Sequence, residues 1–222
     1  VPPADAQRSA RLYQDTRERI VLLVSGLGDA GWQTPVPACP GWSIRDVVSH
    51  LAAVAEDWAS GRLAGAPSDE ETAEHVARYR DRDTAGLLDT WHAAAAQLER
   101  LAHTRALVPP LGDVVTHEHD IRAALDRPGA RDTAAVRVVS DQLLTMLAPP
   151  VPLRVIVEDA EYRSGPTDGS EIRLRTNRFE SVRWRTGRRS RAQLAAMDWS
   201  ADPAPVLDHL YQFGPATADL RE

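Results

Sequence analysis

The stretch CPGWSIRDVVSHLAAVAEDW, residues 39–58, sets the architecture of the first two-thirds of the chain. Its Pro-Gly pair marks a turn. Ser43 follows as an N-cap, with Asp46 three positions on as a capping-box partner, and Trp42 and Val47 are spaced for a hydrophobic staple. From there Ile44, Val47, Val48, Leu51, Ala55 and Trp58 recur at intervals of three and four, the period of a helix with one buried stripe. At about 100° per residue, His50 lies about 110° from the centre of that stripe, where a neighbouring helix could cover it.

The same period extends to both sides. Ile20, Leu23, Val24 and Leu27 follow it upstream, and Leu87, Leu88, Trp91, Ala95, Leu98 and Leu101 follow it downstream. DEETAEHVARYR (69–80) is short and polar, as in a loop or surface helix, and TAAVRVVSDQLLTML (133–147) closes the helical region. APPVP (148–152) then breaks the pattern, because proline removes donors and disfavours helix before it. Beyond it the period becomes two. LRVIVEDAEYRSG (153–165), EIRLRTN (171–177) and SVRWRTG (181–187) alternate apolar with polar residues between Gly, Asp and Asn turns, as strands do. SRAQLAAM (190–197) and PVLDHLYQF (205–213) are spaced as two short helices. The expectation is α+β: a helical bundle over 5–148, then a small α+β domain over 149–222.

Composition narrows the function. The chain has 222 residues, a formal net charge of −6 and no lysine, so arginine supplies all 26 positive charges. This arginine-for-lysine, alanine-rich bias hints at a bacterial source. With a sequence pI near 5.7 and no basic stripe, a nucleic-acid backbone is not the expected partner. Cys39 is the single cysteine, which excludes an internal disulfide and any multi-cysteine metal cluster. No apolar run reaches membrane-spanning length and no signal peptide is visible, so the cytoplasm is the expected compartment. There is no glycine-rich phosphate loop after a strand and no nucleophile elbow.

The chemistry-bearing residues concentrate in GDVVTHEHDIRAAL (112–125). On a helix, Asp113, His117 and Asp120 share one flank at the margin of the stripe formed by Val114, Ile121 and Leu125, and His119 points elsewhere. Two bundle helices that each aim a ligand along their seam can build a metal site. His, His and carboxylate with an open fourth position is the donor set of a catalytic zinc. An Asp-x-x-x-His pair is also common as a surface or helix-N-terminal ion pair, and a lone His50 also fits a hydrogen-bonded core histidine. Spacing leaves both alternatives open. His75, His92, His103 and His209 are expected at surface or structural positions. Trp32, Trp42, Trp58 and Trp91 are expected in the core, Trp184 and Trp199 at the contact of the second domain with the bundle, and Cys39, ahead of Pro40 in a turn, as a packing residue rather than a nucleophile.

VPACPGWSIRDVVSHLAAV (36–54), VVTHEHDIRAAL (114–125) and TGRRSRAQLAAMDW (186–199) resemble the actinobacterial mycothiol-dependent maleylpyruvate isomerase family. The resemblance runs from about residue 8 to 220. It implies a DinB-like four-helix bundle followed by the small α+β domain. It also implies a divalent metal, usually zinc, on the His after the P-G-W turn and on an acid-x-x-x-His pair. In this chain these are His50, Asp113 and His117, with Asp113 standing where the family has the longer Glu. The implied cosubstrate is mycothiol, acting with a small electrophile in cis-trans isomerisation or S-transfer. Arg188 or Arg189 is where the resemblance puts a carboxylate clamp. A monomer or homodimer is expected, without nucleic acid or membrane. A non-catalytic metal-binding or ligand-sensing protein of the same fold is the alternative.

Overall fold

The computed structural model describes residues 3–222. The chain gathers into two compact units, one up to Pro128 and one over Gly129–Arg221. In the first unit the helices are α1 (Pro3–Val24), α2 (Asp29–Trp32), α3 (Ile44–Ser60), α4 (Asp69–Arg78), α5 (Thr84–Arg105) and α6 (Leu111–Ala124). α3 packs on α4, α5 and α6, and α1 packs on α5 and α6, so α1, α3, α5 and α6 form the four-helix bundle.

Local chemistry explains where these helices begin. Ser43 accepts from the Asp46 amide while Asp46 accepts from the Ser43 amide, the reciprocal box its spacing predicts. Ser68 and Glu71 form the same box at α4, so the polar stretch after residue 68 is a helix rather than a loop. Asp83 caps α5. α6 follows Pro110 and has no side-chain cap. The stripe residues Ile44, Val47, Val48 and Leu51 are fully buried with Leu87, Trp91, Leu98 and Ile121.

The second unit holds α7 (Ala134–Thr145), β1 (Leu153–Val157), β2 (Ala160–Ser164), β3 (Ile172–Arg175), α8 (Arg178–Arg185), α9 (Arg191–Ala195) and β4 (Asp198–Trp199). The sheet order is β2-β1-β3-β4. β1 pairs antiparallel with β2 and parallel with β3, and β3 pairs antiparallel with β4. Leu144, Leu147, Leu153, Val155, Leu174 and Trp184 share one core, and α7 packs on α8. The units therefore divide ahead of α7, not at the proline-rich break after residue 147, because the apolar face of α7 completes the core of the sheet unit.

One element differs in type from its alternation pattern. SVRWR (181–185) is helical, the end of α8, not a strand. Asn177 starts the helix by accepting from the Glu180 amide, and Phe179, Val182 and Trp184 are buried together with Arg178, Arg183 and Arg185. A helix covered on nearly every side loses the polar face that separates a period of 3.6 from a period of two. PVLDHLYQF forms only a 3-10 turn at Leu207–His209. Among the described residues, no helix is long and apolar enough to cross a membrane.

Candidate metal centre

Two helices and one turn supply the site. His50 lies mid-way along α3, and Asp113 and His117 lie one turn apart on α6. His50 Nε2 is 3.4 Å from Asp113 Oδ1, and His117 Nε2 is 3.5 Å from the same oxygen. The three ligand atoms all lie within 4.8 Å of one another. Both imidazoles are buried, at 4% and 7% exposure, while the Asp113 side chain is 25% exposed. The two imidazoles are thus enclosed by protein, and Asp113 is the most exposed of the three ligands.

The turn before α3 completes the wall. The Trp42 amide donates to the Cys39 carbonyl at 3.0 Å, and Gly41 sits at φ +84°, the left-handed conformation required at the third position of a type II turn. Proline at the second position and glycine at the third explain the C-P-G-W sequence. The turn brings its two ends to the centre. The Trp42 ring lies 5.3 Å from that of His50 and 6.4 Å, nearly parallel, from that of His117. Cys39 Sγ lies 3.8 Å from His117 Nδ1 and donates to Asp120 Oδ2 at 3.5 Å.

Asp120, fully buried, places Oδ2 2.9 Å from His117 Nδ1. A carboxylate there keeps the proton on Nδ1 and leaves the Nε2 lone pair facing His50 and Asp113, the usual orientation of a metal-ligating histidine. A second dyad lies behind His50. The His75 ring is 5.4 Å from it, and His75 Nε2 is 3.1 Å from Asp57 Oδ2. Arg78 binds both oxygens of Asp57 at 2.9 Å, and Arg62 binds Oδ1. Burial alone would raise the Asp57 carboxyl, but the hydrogen bonds from Arg78 and Arg62 overcome it and hold the group at about 2. Burial, and then the charge of His50, push His75 below its ordinary value.

The donor set fits a divalent ion. Bonds of ~2.0–2.1 Å in a tetrahedron put neighbouring ligand atoms ~3.3 Å apart, and the two imidazole-to-carboxylate distances are 3.4 and 3.5 Å. His50 Nδ1 is buried with no hydrogen-bond partner.

The remaining candidates sit in the second unit. Arg189 is buried, and its fork is engaged bidentately by Glu180 at 2.8 Å on both sides. Arg188 is half-buried and donates to the Thr186 carbonyl at 2.6 Å. His92, His103 and His209 are exposed. Sequence reasoning assigned Trp42 to the core, Cys39 to packing and His75 to a surface or structural position. All three border the centre. Helix counting did place Asp120 on the right flank, but no local signal connects Cys39 to residues 78 and 81 positions away.

Residues 13–114 match the family model of the mycothiol maleylpyruvate isomerase N-terminal domain. That match includes His50 and Asp113 and ends before His117. Among solved structures, the crystal structure of the mycothiol-dependent maleylpyruvate isomerase superposes with a TM-score of 0.52 at 16% identity, covering 85% of this chain and 90% of the other. A histidine-to-alanine mutant of the mycothiol-dependent maleylpyruvate isomerase superposes with a TM-score of 0.50 at the same identity and coverage. No curated protein matches the chain in sequence. Residues 13–114 are thus similar to the mycothiol maleylpyruvate isomerase N-terminal domain, and the chain shares the fold of the solved isomerase.

Proposed function

We propose that the protein is a metal-dependent enzyme that uses a low-molecular-weight thiol, mycothiol, to isomerise or thiolate a small electrophile. The observation that supports it most is the convergence of His50 Nε2, His117 Nε2 and Asp113 Oδ1 on one partly open position. His50, Asp113 and His117 would hold the ion, with zinc the best match to two imidazoles and a carboxylate. A free thiol with a pKa of about 8.5 is mostly protonated at neutral pH, and zinc supplies the positive charge that makes the thiolate available.

The chain's own residues do the rest. Asp120 holds the His117 tautomer and ring orientation. Trp42 covers both imidazoles and keeps bulk water from that side. Asp113 is the ligand open to solvent, so thiol and electrophile approach over it. For a substrate carboxylate the resemblance offers Arg188 and Arg189, and Glu180 engages the Arg189 fork. Arg188→Ala should raise KM for a carboxylated substrate with little change in metal content.

The test is mycothiol-dependent turnover of an activated alkene, followed with native, chelator-treated and zinc-restored protein. Turnover that needs both thiol and metal supports the proposal. Metal-independent turnover, or none with any thiol acceptor while metal binds normally, contradicts it.

A further inference from the structure

His117 has two ring nitrogens, and a complete set of ligand atoms surrounds each. Nε2 faces His50 and Asp113. Nδ1 faces Cys39 Sγ at 3.8 Å and Asp120 Oδ2 at 2.9 Å, while Sγ and Oδ2 are 3.5 Å apart. These three atoms also lie within 4.8 Å of one another. We propose that Cys39, Asp120 and His117 Nδ1 form a second, thiolate-containing cation seat, selective for thiophilic ions and exclusive with the His50–Asp113 seat.

Geometry and ligand type carry the argument. Bonds of ~2.3 Å to sulfur and ~2.0 Å to nitrogen or oxygen place a tetrahedral sulfur ~3.6 Å from its neighbouring ligands. The two sulfur distances bracket that value. Only the His117–Asp120 contact must open, by a few tenths of an ångström. One sulfur, one nitrogen and one carboxylate favour a soft ion far more than the sulfur-free set on Nε2 does. Cys39 is half-buried as a residue, but all three groups of the seat are enclosed, with Asp120 fully buried. Binding releases the Cys39 thiol proton to solvent and forms the metal–sulfur bond.

Exclusivity follows from the imidazole. A neutral ring has one lone pair. An ion on Nδ1 takes it there and leaves the proton on Nε2, so the same ring then donates toward Asp113 instead of ligating. A thiophilic ion at Cys39 therefore withdraws His117 from the other seat, and the arrangement acts as an ion-selective switch.

The proposal does not depend on the enzymatic reading, and its test uses no turnover. Metal-free protein is titrated with cadmium while the ultraviolet thiolate-to-cadmium absorption is followed, with circular dichroism confirming that each variant is folded. Wild type should show one saturating transition. Cys39→Ser should abolish it, Asp120→Asn and His117→Ala should each weaken it at least tenfold, and His50→Ala should leave it unchanged. Saturating zinc should shift the wild-type cadmium curve at least tenfold. An absent transition overturns the seat. So does one that Asp120→Asn and His117→Ala leave in place, which would mark a solitary thiol. Zinc and cadmium bound together, one each with neither weakened, would overturn the exclusivity.

Discussion

α3 and α6 each carry a buried histidine to the same point, but they are held there by different forces. α3 has a reciprocal cap and is buried continuously from Val47 to Ala55, by apolar side chains apart from Ser49 and His50. α6 has no side-chain cap, and every residue from Val114 to Ile121 is buried, including His117, Glu118, His119 and Asp120. Its charges are satisfied by partners. Glu118, 1% exposed, accepts from Arg19 on α1 and Arg122 on α6, and Asp120 takes His117. Apolar burial tolerates small shifts, whereas a buried charge needs its partner at a fixed distance. The helix with two ligands is accordingly the one whose position is set by directional contacts.

Perturbations that separate the two helices test this difference. The largest effect is expected at the apolar anchor of α3. Leu51→Ala should cost about 3–4 kcal/mol of unfolding free energy, from lost burial plus a cavity, measured by denaturant titration. Glu118→Gln should cost about 2–3 kcal/mol, since two arginines lose their shared counter-charge. It should also weaken metal binding, because α6 loses its tie to α1. Leu51→Ala should leave metal affinity closer to wild type; the reverse ranking would refute the contrast.

Asp120→Asn probes α6 without changing its shape. It should lower zinc affinity about 10–100-fold by loosening the His117 ring, read by competition with a chelating dye. The smallest effect on stability is expected at the α3 cap, where Ser43→Ala should cost about 1 kcal/mol. Acid unfolding probes the dyad behind His50. The folded Asp57 carboxyl titrates at about 2, below its unfolded value of about 3.9. Its contribution is complete above about pH 4 and is lost as pH falls toward 2. Arg78→Ala should raise the folded value and move the acid midpoint to higher pH. An unmoved midpoint would remove Asp57 from the account.

The same contrast explains what the sequence disclosed. α3 was legible because its cap and stripe are local signals, and its flank position was enough to mark His50 as available. On α6, helix counting grouped Asp113, His117 and Asp120 on one flank, but it described a half-buried helix. The structure buries α6 on all sides from Val114 to Ile121, since Arg19 and Arg122 supply partners that periodicity does not register. α8 was misread for the same reason: buried arginines hide the period, although the Asn177 cap was present in the sequence. Cys39 meets His117 and Asp120, Trp42 meets His117, and His75 meets His50 through contacts between separate segments of the chain, for which one sequence carries no signal.

The most direct measurement is the metal content of the purified protein by elemental analysis, beside His50→Ala, Asp113→Ala and His117→Ala. The account predicts about one zinc per wild-type chain, bound by three protein ligands, and loss of that zinc in each variant with the helical fold retained. A wild-type protein that neither contains zinc nor takes it up, or that keeps it in all three variants, would contradict it.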